Sequence, residues 1–178
     1  MNMWTEDLVL PEELRKERLQ KEPASYTAWI LGKSGKTQEK KRKAVIICPG
    51  GGYEHLSPRE GEPIAMKYLA MGYHVFVLHY SLAPERFPTA LRELALLTAK
   101  IREHADEWRI DSEGIIVSGF SAGGHLALSL GVHWDKEWLS GPLGLTPEQI
   151  RPNGLILCYP VEIIIAVSYT HLTLPTNS

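Results

Sequence analysis

The chain has 178 residues, of which 44% are hydrophobic and 22% charged, and its formal net charge at pH 7 is −2. This length and composition predict one soluble globular domain with a sizeable core. The near-neutral charge balance gives no indication of a nucleic-acid partner or of an anionic membrane surface as partner.

The hydrophobic pattern predicts strands and helices in alternation along the chain. The predicted β-strands are Tyr26–Leu31, Ala44–Cys48, Tyr73–Tyr80, Gly114–Ser118 and Gly154–Tyr159. The predicted helices are Glu60–Met71, Pro88–Trp108 and Gly124–Leu130. A charged loop or hairpin covers Lys33–Lys43, and a polar segment rich in tryptophan covers His133–Arg151. This alternation indicates an α/β fold, with a mostly parallel sheet covered by helices on both faces.

No targeting or membrane-spanning segment is visible in the sequence. The first residues, MNMWTEDLVLPEEL, are acidic and lack the basic and apolar regions of a signal peptide. The most apolar late stretch, Leu155 to Val167, is too short to span a bilayer and contains Pro160 and Glu162. We therefore expect a cytoplasmic protein without a membrane partner.

The two cysteines give no sign of a metal site. Cys48 and Cys158 each lie in an apolar run, and neither has a C-x-x-C or other metal-ligand spacing. We expect buried thiols, no metal and no cofactor.

The most informative motif is Gly119-Phe120-Ser121-Ala122-Gly123, which matches G-x-S-x-G. It follows a predicted buried strand and precedes a predicted helix. A serine nucleophile needs this setting, because a sharp turn with small neighbours lifts its hydroxyl off the sheet. The N–H groups at the start of the helix point to the same spot, where they can stabilise an oxyanion. The motif predicts a nucleophile at Ser121, with a structural glycine-rich turn as the alternative.

A second motif, Pro49-Gly50-Gly51-Gly52-Tyr53, directly follows another buried strand. Three glycines let the backbone turn its N–H groups outward, and an acyl-transfer enzyme needs such donors where a carbonyl oxygen becomes negative. A flexible turn explains these glycines equally well when they are taken alone. Together with the serine motif they favour an oxyanion hole, in which the N–H of Ala122 is the other donor.

Four motifs in order resemble those of the α/β-hydrolase esterases. They are Pro49–Tyr53, Tyr80-Ser81-Leu82-Ala83-Pro84-Glu85, Gly119–His125 and Cys158-Tyr159-Pro160-Val161. The resemblance covers Tyr26 to Val161 and is closest to the bacterial acetyl esterases of the acetylxylan or feruloyl type. One departure is Pro49, which stands where the common H-G-G-G motif has histidine.

The resemblance implies an α/β-hydrolase fold and a serine ester hydrolase that works through an acyl-enzyme. By position it implies Ser121 as the nucleophile and Gly51, Gly52 and Ala122 as backbone donors. It implies small-molecule or carbohydrate esters, such as acetylated xylan or xylo-oligosaccharides, as substrates. Nothing in the sequence indicates the oligomeric state.

The catalytic triad is incomplete in this sequence. In this fold the acid and then the histidine follow the serine, on loops after later strands. After Ser121 the chain offers His125, His133 and His171. His125 lies one helical turn beyond the serine, which favours packing or capping, and His133 belongs to the polar segment and is expected to be exposed. No acidic residue falls where the acid belongs.

The end of the chain suggests a reason why the catalytic acid and histidine are missing. Val167–Thr176 resembles the in-frame translation of a transposase-type sequencing adapter, with a native amphipathic tail as the alternative. A complete domain of this type needs ~200–250 residues. We therefore expect an N-terminal extension over residues 1–25, a partial α/β-hydrolase domain over 26–166 and a non-native tail over 167–178. The fragment is expected to lack turnover of 4-nitrophenyl acetate and to aggregate through an exposed apolar edge at Leu155–Tyr159.

Two other functions remain open at this point. One is an oligopeptidase-like serine peptidase, which is disfavoured because no gating domain fits before Tyr26. The other is a non-catalytic α/β-hydrolase-fold binding protein, which the intact serine motif and glycine-rich motif disfavour.

Overall fold

The computed structural model describes residues 1–32 and 41–161, which include a six-stranded sheet with helices on both faces. The strands are β1 (Asn2–Leu8), β2 (Ala24–Ile30), β3 (Arg42–Cys48), β4 (His74–His79), β5 (Ile110–Phe120) and β6 (Gly154–Cys158), in the spatial order β1-β2-β4-β3-β5-β6. β3 runs parallel to β4 and to β5, and β5 runs parallel to β6. β2 runs antiparallel to both β1 and β4. The predicted mostly parallel α/β sheet is confirmed.

Seven α-helices connect the described strands. They are α1 (Glu12–Lys16), α2 (Glu62–Ala70), α3 (Thr89–Glu103), α4 (Ala105–Trp108), α5 (Ala122–His133), α6 (Glu137–Ser140) and α7 (Pro147–Ile150). Short 3₁₀ turns cover Pro58–Glu60 and Gly141–Leu143. The polar segment predicted over 133–151 therefore folds as short helical turns.

Side chains of the central strands alternate between two hydrophobic clusters. In β3, Ala44, Ile46 and Cys48 belong to the larger cluster, which α3 and α5 cover, whereas Val45 and Ile47 belong to a smaller cluster that α2 covers. This period of two is the geometry of a strand buried on both faces. It explains why these strands read as continuous apolar runs in the sequence.

The N-terminal residues differ from the expectation. Residues 1–25 were expected to be an N-terminal extension to the domain, and in the structure β1 pairs with β2 along its whole length, and Leu8, Leu10 and Leu14 are buried in the larger cluster. The predicted boundary at residue 26 falls inside β2, which begins at Ala24. β1 forms although it has little hydrophobic pattern of its own, because pairing with β2 satisfies its backbone hydrogen bonds. The further division at residue 166 stays a prediction, since residues 162–178 lie outside the described part of the chain.

The predicted helix over Pro88–Trp108 is interrupted. α3 ends at Glu103 and α4 begins at Ala105, because His104 leaves helical geometry (φ −91°, ψ 13°). The His104 ring stacks on Trp108 with centroids 4.6 Å apart.

The parallel strands bring four loops to one edge of the sheet. Register pairs Cys48 with Gly119 and Phe120 with Cys158, so β3, β5 and β6 end side by side. In parallel sheets, ligands bind at this carboxyl edge. The glycine-rich and serine motifs both begin there.

Candidate active site

Ser121 occupies the turn between β5 and α5 in a strained backbone conformation. Its φ of 52° and ψ of −117° lie outside the regions that non-glycine residues favour. Hydrogen bonds hold the turn: its N–H donates to the Cys158 carbonyl at 3.0 Å, and its carbonyl accepts from the N–H groups of His125 (3.0 Å) and Val161 (3.3 Å). The end of β6 therefore braces the strained turn.

The two glycines of the G-x-S-x-G motif are required by close packing. A Cβ atom on Gly119 would lie 2.1 Å from the Gly123 carbonyl oxygen, and one on Gly123 would lie 2.0 Å from the Cys48 carbonyl oxygen. Both separations are far below any real contact. The serine turn thus packs against the end of β3, where the glycine-rich loop (Pro49–Tyr53) begins.

The glycine-rich loop lies against the serine. A Cβ atom on Gly50 would be 3.0 Å from the Ser121 Cβ atom. Gly51, Gly52 and Tyr53 follow with φ of 132°, 65° and 61°, which only glycine adopts freely. A side chain on Gly51 would strike the His55 carbonyl, whereas Gly52 faces open space.

Three backbone N–H groups at this place are free to donate. Among the described residues, no hydrogen bond uses the amides of Gly51, Gly52 or Ala122. Ala122 is the first residue of α5, whose first N–H groups have no partner within the helix. The helix dipole adds a partial positive charge there. Ala122 directly follows Ser121, and Gly51 and Gly52 directly follow Gly50, which lies against Ser121. Their role as oxyanion donors stays a prediction.

Glu60 lies at the site, although the sequence pattern predicts it only as the start of a helix. Its Oε2 accepts from the Gly50 N–H at 2.7 Å, and its Oε1 accepts from the Tyr159 hydroxyl at 2.8 Å. This carboxylate raises the pKa of Tyr159 by accepting its proton in a hydrogen bond. Glu60 thereby links the glycine-rich loop to the residue after β6, and no spacing rule in the sequence would have found it.

His125 packs against the glycine-rich loop. Its Nδ1 is hydrogen-bonded with the Tyr53 hydroxyl at 3.0 Å, and the two rings meet edge to face. Burial lowers the pKa of His125 and raises that of Tyr53. The ring thus packs against Tyr53, in line with the packing role that the sequence favours, and that role stays a prediction.

The other candidate histidines have different outcomes. His133 was expected to be exposed, but it is half-buried, with its ring 5.3 Å from that of Trp138 and its Nδ1 shielded from solvent. The expectation was wrong because the segment after α5 folds back over this ring. His171 and the tail lie outside the described residues.

The described residues contain no cluster of three or more His, Cys, Asp or Glu side chains that could hold a metal ion. Both cysteines are free thiols; Cys48 is buried as expected, whereas Cys158 is only half-buried because it ends the edge strand β6. Within the same residues, no helix is long and apolar enough to cross a membrane.

Comparison with known proteins relates the chain to esterases. The BD-FAE family model matches residues 33–155. Endo-1,4-beta-xylanase B of Butyrivibrio fibrisolvens is 35% identical over 135 residues, which cover 74% of this chain and 21% of that protein. Acetylxylan esterase of Xylanibacter ruminicola is 30% identical over 120 residues, covering 67% of this chain and 22% of that protein.

A solved structure shows the same architecture. The acetyl ester-xyloside bifunctional hydrolase of Caldicellulosiruptor lactoaceticus superposes with a TM-score of 0.74 at 28% identity, covering 88% of this chain and 57% of that one. The chain therefore spans about a fifth of these curated relatives and little more than half of this solved relative.

Proposed function

The chain belongs to the BD-FAE family of α/β-hydrolase esterases, and we propose that the whole protein is a serine carboxylic-ester hydrolase. The proposed substrates are small acetyl esters or acetylated carbohydrates such as xylan and xylo-oligosaccharides. The substrate class comes from the relatives, one of which is an acetylxylan esterase. The observation that carries the serine mechanism is the strained Ser121 turn beside unpaired amides.

The mechanism starts at the Ser121 hydroxyl. Its oxygen attacks the ester carbonyl carbon while a base takes its proton, and the carbonyl oxygen becomes negative. The amides of Gly51, Gly52 and Ala122 donate hydrogen bonds to that oxygen. The bond to the alcohol then breaks, the alcohol leaves with the proton, and water releases the acid from the acyl-enzyme.

The base and its orienting acid are not assigned to described residues. His125 is one turn away on α5, but its Nδ1 is hydrogen-bonded with Tyr53. By the resemblance, we expect both residues in the whole protein on loops after later strands, in the order acid then histidine.

A fluorophosphonate probe on the full-length protein tests the nucleophile. Labelling is expected in the wild type and in Ser129→Ala, whose hydroxyl only bonds the His125 carbonyl on the same helix. It is expected to disappear in Ser121→Ala. Labelling that persists in Ser121→Ala would contradict the proposed mechanism.

The substrate class needs a separate measurement. Acetate release from acetylated xylo-oligosaccharides is compared with release from 4-nitrophenyl acetate. Release from the aryl ester alone would leave the esterase mechanism standing and contradict the carbohydrate assignment.

A further inference from the structure

Three charged side chains are buried between the N-terminal segment and the loop that follows β4. Arg18, Glu85 and Glu93 expose 5%, 4% and 0% of their side chains. Arg18 Nε lies 3.5 Å from Glu85 Oε1, and its Nη1 lies 3.7 Å from Glu93 Oε1. One guanidinium thus faces two carboxylates in a region shielded from water, and we call this group the charge cluster.

The charge cluster is hydrogen-bonded to Ser81 in the β4–α3 loop (residues 80–88). The Ser81 N–H donates to Glu93 Oε2 at 2.8 Å, and its hydroxyl donates to Glu93 Oε1 at 2.5 Å. Arg18 Nη2 donates to the Ser81 hydroxyl oxygen at 2.9 Å and to the Glu22 carbonyl at 2.7 Å. Arg18 therefore joins the N-terminal segment to Ser81.

The same loop holds both ends of the glycine-rich loop. On one side of Ser81, the Tyr80 hydroxyl donates to the Pro49 carbonyl at 2.5 Å. On the other side, the Ala83 N–H donates to the Tyr53 carbonyl at 2.7 Å. The Tyr53 ring also meets the Tyr80 ring edge to face, 5.7 Å between centroids. Between these two anchors lie Gly51 and Gly52.

Arg18 is the cation that faces both carboxylates of the charge cluster. Burial raises the pKa of Glu93, and an unpaired carboxylate in such a place either takes up a proton or moves toward water. Either change alters the bonds at Ser81. Ser81 lies between Tyr80 and Ala83, the two residues that bond Pro49 and Tyr53.

We propose that Arg18 is a positioning residue, which holds the glycine-rich loop in place through Ser81 and the β4–α3 loop. Arg18 precedes the residues that the family model matches. The link to catalysis rests on the proposed function. The link from Arg18 through Ser81 to the glycine-rich loop, which we call the mechanical link, does not.

Residue-resolved amide hydrogen exchange on Arg18→Ala in the full-length protein tests the mechanical link. We expect the Ser81 and Ala83 amides to exchange about tenfold faster or more, with the Ile46 amide in β3 unchanged. Guanidinium ion at millimolar concentration is expected to restore the slow exchange. Arg15→Ala is the matched control, since Arg15 is exposed at the end of α1 and its removal is expected to change neither amide.

Two results would overturn the proposal: unchanged exchange at Ser81 and Ala83, or equal acceleration at Ile46, which means general destabilisation. If Arg18→Ala does not fold, Arg18→Lys keeps the charge and removes the forked hydrogen bonds. It is expected to fold with faster exchange at Ser81 and Ala83, and the absence of that effect would equally overturn the proposal.

Kinetics then test the link to catalysis. Arg18→Ala is expected to lower kcat and the rate of fluorophosphonate labelling while KM changes little. The reason is that the amides of the glycine-rich loop bind the carbonyl oxygen of the reacting ester in the proposed mechanism. Normal kcat with accelerated loop exchange would refute the catalytic link. Failure of the wild type to label at all would instead contradict the proposed function and leave the exchange result standing.

Discussion

Backbone strain is concentrated at the candidate active site. Four described non-glycine residues have positive φ, and three of them, Tyr53, Ser121 and Tyr159, lie in the loops that meet at the carboxyl edge of the sheet. Such conformations persist only where surrounding contacts hold them. Here the contacts come from Ala83, Cys158 and Glu60, each on a different segment.

Gly123→Ala is expected to destabilise the fold by about 3 kcal/mol or more, although alanine is the better helix former. The new Cβ atom would lie 2.0 Å from the Cys48 carbonyl oxygen, which is backbone and cannot move aside. Urea unfolding measures the change. Gly144→Ala is the control, because its φ is 68° but its Cβ atom meets nothing within 4 Å, so about 1 kcal/mol is expected. Equal effects of the two changes would contradict the packing argument.

His74 gives the fold a dependence on pH. Burial lowers its pKa from 6.5 to about 4, and the charges of Arg42 and Arg109 act in the same direction. Protonation therefore favours the unfolded chain. The stabilisation from neutral His74 is complete above pH 6.5 and is lost as the pH falls toward 4, at up to about 1.4 kcal/mol per pH unit.

His74→Asn is expected to remove this part of the acid sensitivity. The asparagine carboxamide oxygen can replace Nδ1 as acceptor for the Leu31 N–H, which donates to it at 3.1 Å. Urea unfolding of both proteins at pH 7 and pH 5 measures the difference. Identical loss of stability on acidification would show that His74 is not responsible.

At the scale of elements, β6 forms an edge of the sheet among the described strands. Leu155, Ile156 and Leu157 are each more than a third exposed, which confirms the predicted apolar edge. An edge strand presents unpaired backbone groups to other chains. The strand that braces Ser121 is thus one of the two edge strands of the described sheet.

Ile156→Lys is expected to reduce aggregation of the 178-residue chain, because a lysine on an edge strand opposes pairing with another copy. Light scattering during incubation measures the aggregation of each variant. Met66→Lys on α2 is the matched control, since Met66 is 39% exposed and Ile156 is 38% exposed. An equal reduction by both changes would point to net charge rather than to the edge.

At the scale of the whole molecule, the first 25 residues are part of the domain. They supply β1 to the sheet, buried leucines to the core and Arg18 to the charge cluster. An extension that folds separately has no such contacts.

Leu8→Ala is expected to destabilise the whole domain by about 2–5 kcal/mol, since Leu8 is 2% exposed in the larger hydrophobic cluster. Val9→Ala, next to it and 53% exposed, is expected to stay within about 0.5 kcal/mol. The midpoint of urea unfolding, followed by a core probe, measures both. If Leu8→Ala leaves that midpoint unchanged, residues 1–25 are an independent extension after all.

The sequence predicted the elements that carry a strong local pattern. The strands β2 to β6 and helices α2 and α5 follow from apolar runs and helical spacing. β1 was missed because most of its side chains are exposed, so that it shows neither a buried run nor a clean alternation. The break at His104 was missed because helical spacing continues through it.

The sequence by itself determined the fold class, the serine turn and the glycine-rich loop, because strand periodicity and turn chemistry are properties of neighbouring residues. Only the tertiary structure decided that Glu60 holds Gly50, that His125 is hydrogen-bonded with Tyr53, and that Arg18 meets Glu93. Gly50 and Glu60 are separated by 10 positions in the chain, and Tyr53 and His125 by 72. No local pattern encodes their pairing, which arises when the sheet brings its loops to one edge.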